Sequence, residues 1–156
     1  MIIKYAKKYQ KGNYVGIDYW GDKWEYSHGQ CQKNANIEGI KNIEFQKASA
    51  SKLPFEDNSF SNVISCLTFH EVQDVEDKMK SVFEALRVLK PNGKFTFFDL
   101  FSDKNYYKGM QYILKEIKMT GVKSISYQSI QEIIKLPFPL NDKQSLKYGV
   151  LVFGEK

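Results

Sequence analysis

Short apolar segments alternate with segments of helical periodicity along most of this chain, and this alternation limits the fold more than any other feature. Four strands are predicted in order, at Tyr14–Asp18, Asn42–Lys47, Asn62–Leu67 and Lys94–Leu100. Helices are predicted at Ile2–Gln10, about Asp22–Asn36, from a cap at Asp74 to Leu89, and about Tyr106–Thr120. Two further strands, Val122–Tyr127 and Lys147–Gly154, follow without a long helix between them. The pattern predicts an α/β fold with a mostly parallel sheet, helices on both faces and a C-terminal antiparallel strand pair.

Three of the predicted strands carry a chemically distinctive residue where they end. These residues are Asp18, Cys66 and Asp99. Ligands of open α/β sheets bind beyond the carboxyl ends of the strands, so we expect these side chains to lie near a binding site. Asp18 is the first candidate, because a strand-end carboxylate can accept hydrogen bonds from a ribose diol. A turn or helix-capping role is the alternative for the same residue.

Composition narrows the class of protein further. The 156 residues suit a single domain, and 42% hydrophobic residues supply enough material for a core. The N-terminus has no continuous apolar stretch, so neither a signal peptide nor a membrane span is expected. Two cysteines are too few for a disulfide framework and favour a reducing, cytoplasmic setting. The net charge of +5 allows a nucleic-acid partner, but a lysine-rich solvated surface is the favoured interpretation.

Several short motifs occur in a specific order between residues 34 and 94. A Leu-Pro-Phe turn lies at Leu53–Phe55, Phe69-His70-Glu71-Val72 follows the next strand, and Leu86–Lys94 reads Leu-Arg-Val-Leu-Lys-Pro-Asn-Gly-Lys. With the acid that ends the Tyr14–Asp18 strand, this order resembles the class I, Rossmann-like S-adenosylmethionine (SAM)-dependent methyltransferases of the ubiquinone/menaquinone-biosynthesis type. The resemblance covers Ile2 to Leu100 well and the remainder only in architecture.

The resemblance implies SAM as cofactor and a role for individual residues. Asp18 matches the ribose-binding acid, and Tyr19 matches the position that packs on the adenine. Ser49-Ala50 stands where the family usually has Asp-Ala, whose acid accepts from the adenine amino group. Cys66 and Leu67 match the strand end that lines the methionine part of the cofactor. His70 matches a histidine common after that strand.

Two departures from the family pattern bear on cofactor binding. Ser49 replaces a charged acceptor with a shorter neutral one, and no Gly-x-Gly-x-Gly precedes Asp18. We therefore expect 1–156 to be a single methyltransferase-like domain that is incomplete at its N-terminus. A fragment, a split enzyme completed by another chain, and a rearranged pseudo-enzyme are the three explanations. In the family, the glycine-rich loop follows a strand in the middle of the sheet. Without that strand, a gap would lie between Tyr14–Asp18 and Asn62–Leu67. We expect the two strands to pair directly or, preferably, a second copy to fill the gap in a homodimer formed by strand exchange.

The candidates for chemistry other than cofactor binding are few. His70-Glu71 is the one plausible acid–base pair, although packing of the loop is the favoured role of His70. Cys66 lacks the partners of a nucleophile and is expected to be a small buried strand residue. No metal-binding spacing is present. The sequence thus predicts a methyltransferase that acts on a small molecule. A non-catalytic binding or partner module without SAM binding and an RNA methyltransferase are the alternatives.

Overall fold

The computed structural model describes residues 1–20, 27–135, 137–138 and 146–156. The chain forms two compact units, residues 1–50 and residues 51–156. Each unit has a sheet of its own. Within the described ranges, no helix is long and apolar enough to cross a membrane.

The first unit is a βαβ arrangement preceded by a short helix. Its elements are α1 (Ile2–Lys8), β1 (Tyr14–Asp18), α2 (His28–Ile37) and β2 (Ile43–Lys47). The two strands run parallel, with Tyr14 opposite Ile43 and Asp18 opposite Lys47. A small apolar core lies between the helices and the strands and consists of Ala6, Ala35, Ile40 and Ile43, with Ile2, Ile3, Tyr14 and Phe45 packed against it.

Local capping explains the bounds of α2. The Ser27 hydroxyl accepts a hydrogen bond from the backbone N–H of Gln30, so the described helix begins at His28. Gly39 follows its C-terminus with φ +70°, a conformation that glycine adopts without strain. The earlier part of the predicted helix, including Trp24, lies outside the described residues.

The second unit contains a four-stranded sheet with the order β3-β4-β6-β5. The strands are β3 (Phe60–Cys66), β4 (Leu89–Asp99), β5 (Ser124–Ser129) and β6 (Val150–Glu155). β3 and β4 are parallel, whereas β6 runs antiparallel to both β4 and β5. Together with the parallel β1–β2 pair, this pattern confirms the predicted α/β fold that ends in antiparallel strands.

Three α-helices accompany this sheet, α3 (Met79–Arg87), α4 (Met110–Met119) and the short α5 (Ile130–Ile133). The predicted apolar stripe of α3 is largely buried, with Val82 and Leu86 at most 1% exposed. The predicted cap at Asp74 is wrong, because the Asp74 carboxylate accepts from the Ser51 hydroxyl at 2.7 Å. Asp77 accepts the Met79 N–H instead, and the helix therefore begins later than expected.

Arg87, at the end of α3, connects the two most recognisable motifs of the sequence. Its guanidinium donates to the backbone carbonyls of Leu53 and Phe55 at 3.1 and 2.8 Å. It also donates to both oxygens of Glu84 at 2.8 and 2.9 Å and to Asp57 at 2.8 Å. The planar, multidentate donor set of arginine suits this arrangement. The Leu-Pro-Phe turn and the Leu-Arg-Val-Leu-Lys-Pro segment are thus held together by a structural contact.

The Pro-Asn-Gly segment after α3 differs from the prediction of a helix-ending turn. The helix ends at Arg87, and Lys90–Gly93 lies within β4. Asn92 takes up the positive φ, at +64°, and the β3–β4 register shifts between Phe60 and Asn62. The segment is therefore an irregularity at the start of a strand.

Candidate functional site

Three strands end at the residues that the sequence singled out. β1 ends at Asp18 in the first unit, and β3 and β4 end at Cys66 and Asp99 in the second. Parallel neighbours place their carboxyl ends at the same edge, so each unit has its own edge of chemically useful side chains.

The first unit brings Asp18 and Tyr19 beside the segment that follows β2. The backbone carbonyl of Asp18 accepts from the Ala48 N–H at 3.1 Å, directly before Ser49 and Ala50. The Asp18 carboxylate accepts from the Trp20 N–H at 3.0 Å, which holds it at the strand end. Tyr19 is 63% exposed, and its ring centroid lies 5.5 Å from the Lys47 ammonium. The four predicted cofactor residues of this unit therefore share one edge.

Trp20 is the residue in this unit that the sequence interpretation missed. Its φ of +43° is an outlier for a bulky side chain, and its ring meets the His28 ring edge-on with centroids 5.0 Å apart. Among the described residues, the buried indole N–H of Trp20 has no hydrogen-bond partner. The backbone of Trp20 thus holds the Asp18 carboxylate at the strand end, while its ring packs on His28 of α2.

Cys66 and Leu67 lie at the end of β3 in the second unit. Cys66 is exposed, so the expectation of a buried strand residue is wrong, because the strand ends where the sheet opens to solvent. Partial burial of the thiol raises the pKa of Cys66, which disfavours the nucleophilic thiolate. Leu67 adopts φ +53° and donates its N–H to the Phe98 carbonyl at 2.7 Å. Strain of this kind occurs at functional edges.

His70 lies in a single 3-10 turn, Phe69–Glu71, which follows Leu67 after one intervening residue, Thr68. Its Nδ1 lies 2.6 Å from Oδ1 of Asp99, and its Nε2 lies 3.2 Å from Oε1 of Glu71. Burial acts to lower the pKa of His70, but the hydrogen bond and charge of Asp99, together with Glu71, outweigh it and raise that pKa. The predicted His70–Glu71 pair is within contact distance, and Asp99 is a second, closer partner.

Two tyrosines lie next to this histidine. The Tyr106 ring centroid is 5.2 Å from that of His70, and Tyr107 packs on Phe101 at 5.0 Å. The Tyr107 hydroxyl is buried and faces the Asp99 carboxylate, which is an acceptor for it. Burial, together with the charge of Asp99, raises the pKa of Tyr107, so the phenol stays protonated. Residues 104–108 line an open cleft of about 480 Å³.

The interpretation of the sequence missed Asp99 as the partner of His70, although a signal was available. Because β3 and β4 are parallel neighbours, the turn after β3 must lie close to the residue that ends β4. In the segment 137–139, the structure describes Pro137 and Phe138, and Phe138 is 82% exposed. Within the described ranges, no group of three or more His, Cys, Asp or Glu side chains could hold a metal ion.

Comparison with known proteins gives consistent relatives. A family described as "Methyltransferase domain" matches residues 1–97. The chain is 33% identical over 153 residues to the ubiquinone/menaquinone biosynthesis C-methyltransferase UbiE of Rickettsia felis, a match that covers 92% of this chain and 59% of that protein. The match to the UbiE protein of Rickettsia akari also covers 59% of that protein, so the chain spans about three fifths of the length of these curated relatives.

Two solved structures show the same fold. A SAM-dependent methyltransferase from Aquifex aeolicus aligns with a TM-score of 0.65 and 20% identity, covering 98% of this chain and 74% of that one. The YcgJ protein of Bacillus subtilis aligns with a TM-score of 0.59 and 19% identity, covering 91% of this chain and 81% of that one. These likenesses confirm the predicted Rossmann-like architecture.

Proposed function

Because this chain belongs to the methyltransferase domain family, we propose that it transfers a methyl group from SAM to a small-molecule acceptor. The resemblance to class I SAM-dependent methyltransferases of the ubiquinone/menaquinone-biosynthesis type is confirmed by the family match and by the relative that is 33% identical. The observation that supports the proposal best is the carboxyl edge of the first unit, where Asp18, Tyr19 and the segment after β2 lie together.

The residues of this edge fit a bound nucleoside. The Asp18 carboxylate accepts from the two ribose hydroxyls, and the exposed Tyr19 ring offers a face to the adenine. By the same resemblance, Ser49-Ala50 receives the adenine amino group.

Methyl transfer requires the protein to orient the acceptor and to supply one group that receives its proton. When SAM is bound, its sulfonium supplies the electrophilic methyl group. The protein's own residues orient the acceptor and receive its proton. With Nδ1–H donated to Asp99, neutral His70 keeps a lone pair on Nε2 for that proton. The imidazolium that results is stabilised by Asp99 at Nδ1 and by Glu71 at Nε2. The Tyr106 ring, which lines the open cleft at residues 104–108, lies against the imidazole of this proton acceptor.

We also propose a cellular location and an oligomeric state for the enzyme. We place it in the cytoplasm, a location supported by two unpaired cysteines. A homodimer formed by strand exchange is proposed because β1 has one ladder partner, β2, among the described residues. No observation on the described residues favours the non-catalytic module or the RNA methyltransferase.

Saturation-transfer NMR of SAM in the presence of the protein tests the cofactor edge and detects weak binding. We expect transfer to the ribose and adenine protons with the wild type. Asp18→Asn should remove most of it, because the neutral amide loses a charged acceptor and presents N–H donors to the hydroxyls. Glu44→Gln is the matched control, since it removes one exposed charge from β2 and should leave the transfer unchanged. Equal transfer in the wild type and Asp18→Asn would reject the proposed site.

A further inference from the structure

We propose that Asp99 is a positioning residue that holds His70 with Nδ1–H donated inward and Nε2 directed away from the sheet. The use of Nε2 as the acceptor of a substrate proton depends on the proposed function, but the positioning itself does not. The sequence pattern singled out Asp99 as a strand-end residue but did not pair it with His70, which lies 29 residues earlier in the chain.

Backbone hydrogen bonds hold the Asp99 carboxylate independently of its contact with the imidazole. Its side chain is fully buried, Oδ2 accepts the Phe69 N–H at 2.8 Å, and Oδ1 accepts the Leu100 N–H at 2.7 Å. Both carboxylate oxygens are therefore engaged by backbone donors, which restricts the movement of the side chain. The acceptor that His70 meets is therefore rigid.

The turn that carries His70 is anchored to the same strand. Leu67, in its left-handed conformation, returns the chain toward β4, and its N–H bonds the Phe98 carbonyl. The Phe69 ring then packs on Phe97 with centroids 5.2 Å apart and is 2% exposed. These contacts leave the His70 side chain 9% exposed, with its Nδ1 2.6 Å from Oδ1 of Asp99.

The groups that face His70 determine which substitution should change the pKa of this histidine most. Asp99 and Glu71 are the charged neighbours among the described residues, the Tyr106 ring lies against the imidazole, and the neutral Tyr107 phenol lies near Asp99. Asp99 is buried and contacts Nδ1 at 2.6 Å, whereas the Glu71 side chain is 44% exposed and contacts Nε2 at 3.2 Å. Loss of the Asp99 charge should therefore perturb His70 more than loss of the Glu71 charge, since solvent screens the exposed partner.

Nitrogen and carbon NMR titration of the two histidines tests this proposal, with His28 as the internal reference. In the wild type we expect the neutral imidazole of His70 to carry its proton on Nδ1. Asp99→Asn should lower the pKa of His70 by about one unit or more and mix the two tautomers. Glu71→Gln should lower it less, and Glu56→Gln, an exposed control in the same unit, should leave it unchanged.

Two outcomes would overturn the positioning role. One is a wild-type neutral His70 that carries its proton on Nε2, a result that does not depend on whether any variant folds. The other is a folded Asp99→Asn in which the pKa of His70 falls no more than in Glu71→Gln. Neither readout requires SAM or an acceptor. Failure of the proposed methyl transfer would therefore leave both measurements as expected, and failure here would leave the Asp18 experiment unaffected.

Discussion

Replacement of Arg87 should lower the free energy of unfolding by more than the removal of an exposed charged side chain does. This is the one arginine among 23 basic residues, and it joins the end of α3 to the carbonyls of Leu53 and Phe55. Arg87→Ala removes both carbonyl bonds and leaves the carboxylate of Glu84 without its bidentate partner. The contact to Asp57 adds little, since that side chain is 70% exposed.

The size of the effect follows from these contacts. A hydrogen bond from a charged donor is worth roughly 1.5–3 kcal/mol, and we reduce this to about 1 kcal/mol for each carbonyl to allow for solvent screening. The side chain of Arg87 is 31% exposed, which is why the reduction is needed. About 1 kcal/mol more follows from leaving Glu84 without its partner, giving about 3 kcal/mol in total. The corresponding fall in Tm is about 6–12 °C for a chain of this size.

Urea unfolding followed by far-UV circular dichroism measures the change. Arg87→Lys should lose about half as much free energy of unfolding, because one ammonium cannot reach both carbonyls and Glu84. Lys80→Ala, which removes an exposed positive charge from the same helix, is the control and should cost about 0.5 kcal/mol or less. A loss below about 1 kcal/mol for Arg87→Ala, or one equal to that of Lys80→Ala, would refute this reasoning.

Further predictions concern the cofactor, pH and assembly. Calorimetric titration of the 156-residue chain with SAM should give a dissociation constant well above the low-micromolar range, since no Gly-x-Gly-x-Gly precedes Asp18; a low-micromolar value would contradict this. In a version that binds SAM more tightly, Asp18→Ala should weaken binding at least about tenfold without unfolding the protein. Because the pKa of folded His70 is raised, its charged form stabilises the fold fully below about pH 6.5, and this stabilisation is lost as pH rises through the folded-state value. The difference in unfolding free energy between wild type and His70→Gln should therefore shrink from pH 6 to pH 8, and a constant difference would count against the contact with Asp99. Light scattering should show a dimer, whereas a monomer at all concentrations would exclude strand exchange.

The residues that end the strands were predictable because they depend on local pattern. Short apolar segments identified Tyr14–Asp18 with its observed bounds and located the carboxyl ends of β3 and β4 within one residue, although β4 begins at Leu89 and not at Lys94. A strand-end position also implies its edge of the sheet, so the sequence alone was enough to group Asp18 with its neighbours after β2.

What could not be predicted depends on contacts between distant segments. Asp74 has the right chemistry for a helix cap, but the Ser51 hydroxyl, 23 residues away, is its observed partner. Trp20 and Leu67 adopt positive φ values although neither is a glycine or asparagine, the residue types from which this conformation can be predicted. Asp99 could have been paired with His70 only by adding strand adjacency to the sequence pattern.

Photo-crosslinking of radiolabelled SAM, followed by peptide mapping, tests the central claim most directly, because it records even weak occupancy. We expect label on peptides containing Tyr19 or the Ser49-Ala50 segment, and excess S-adenosylhomocysteine should prevent this labelling. Label confined to other peptides, or label that S-adenosylhomocysteine does not displace, would contradict a SAM site at these strand ends.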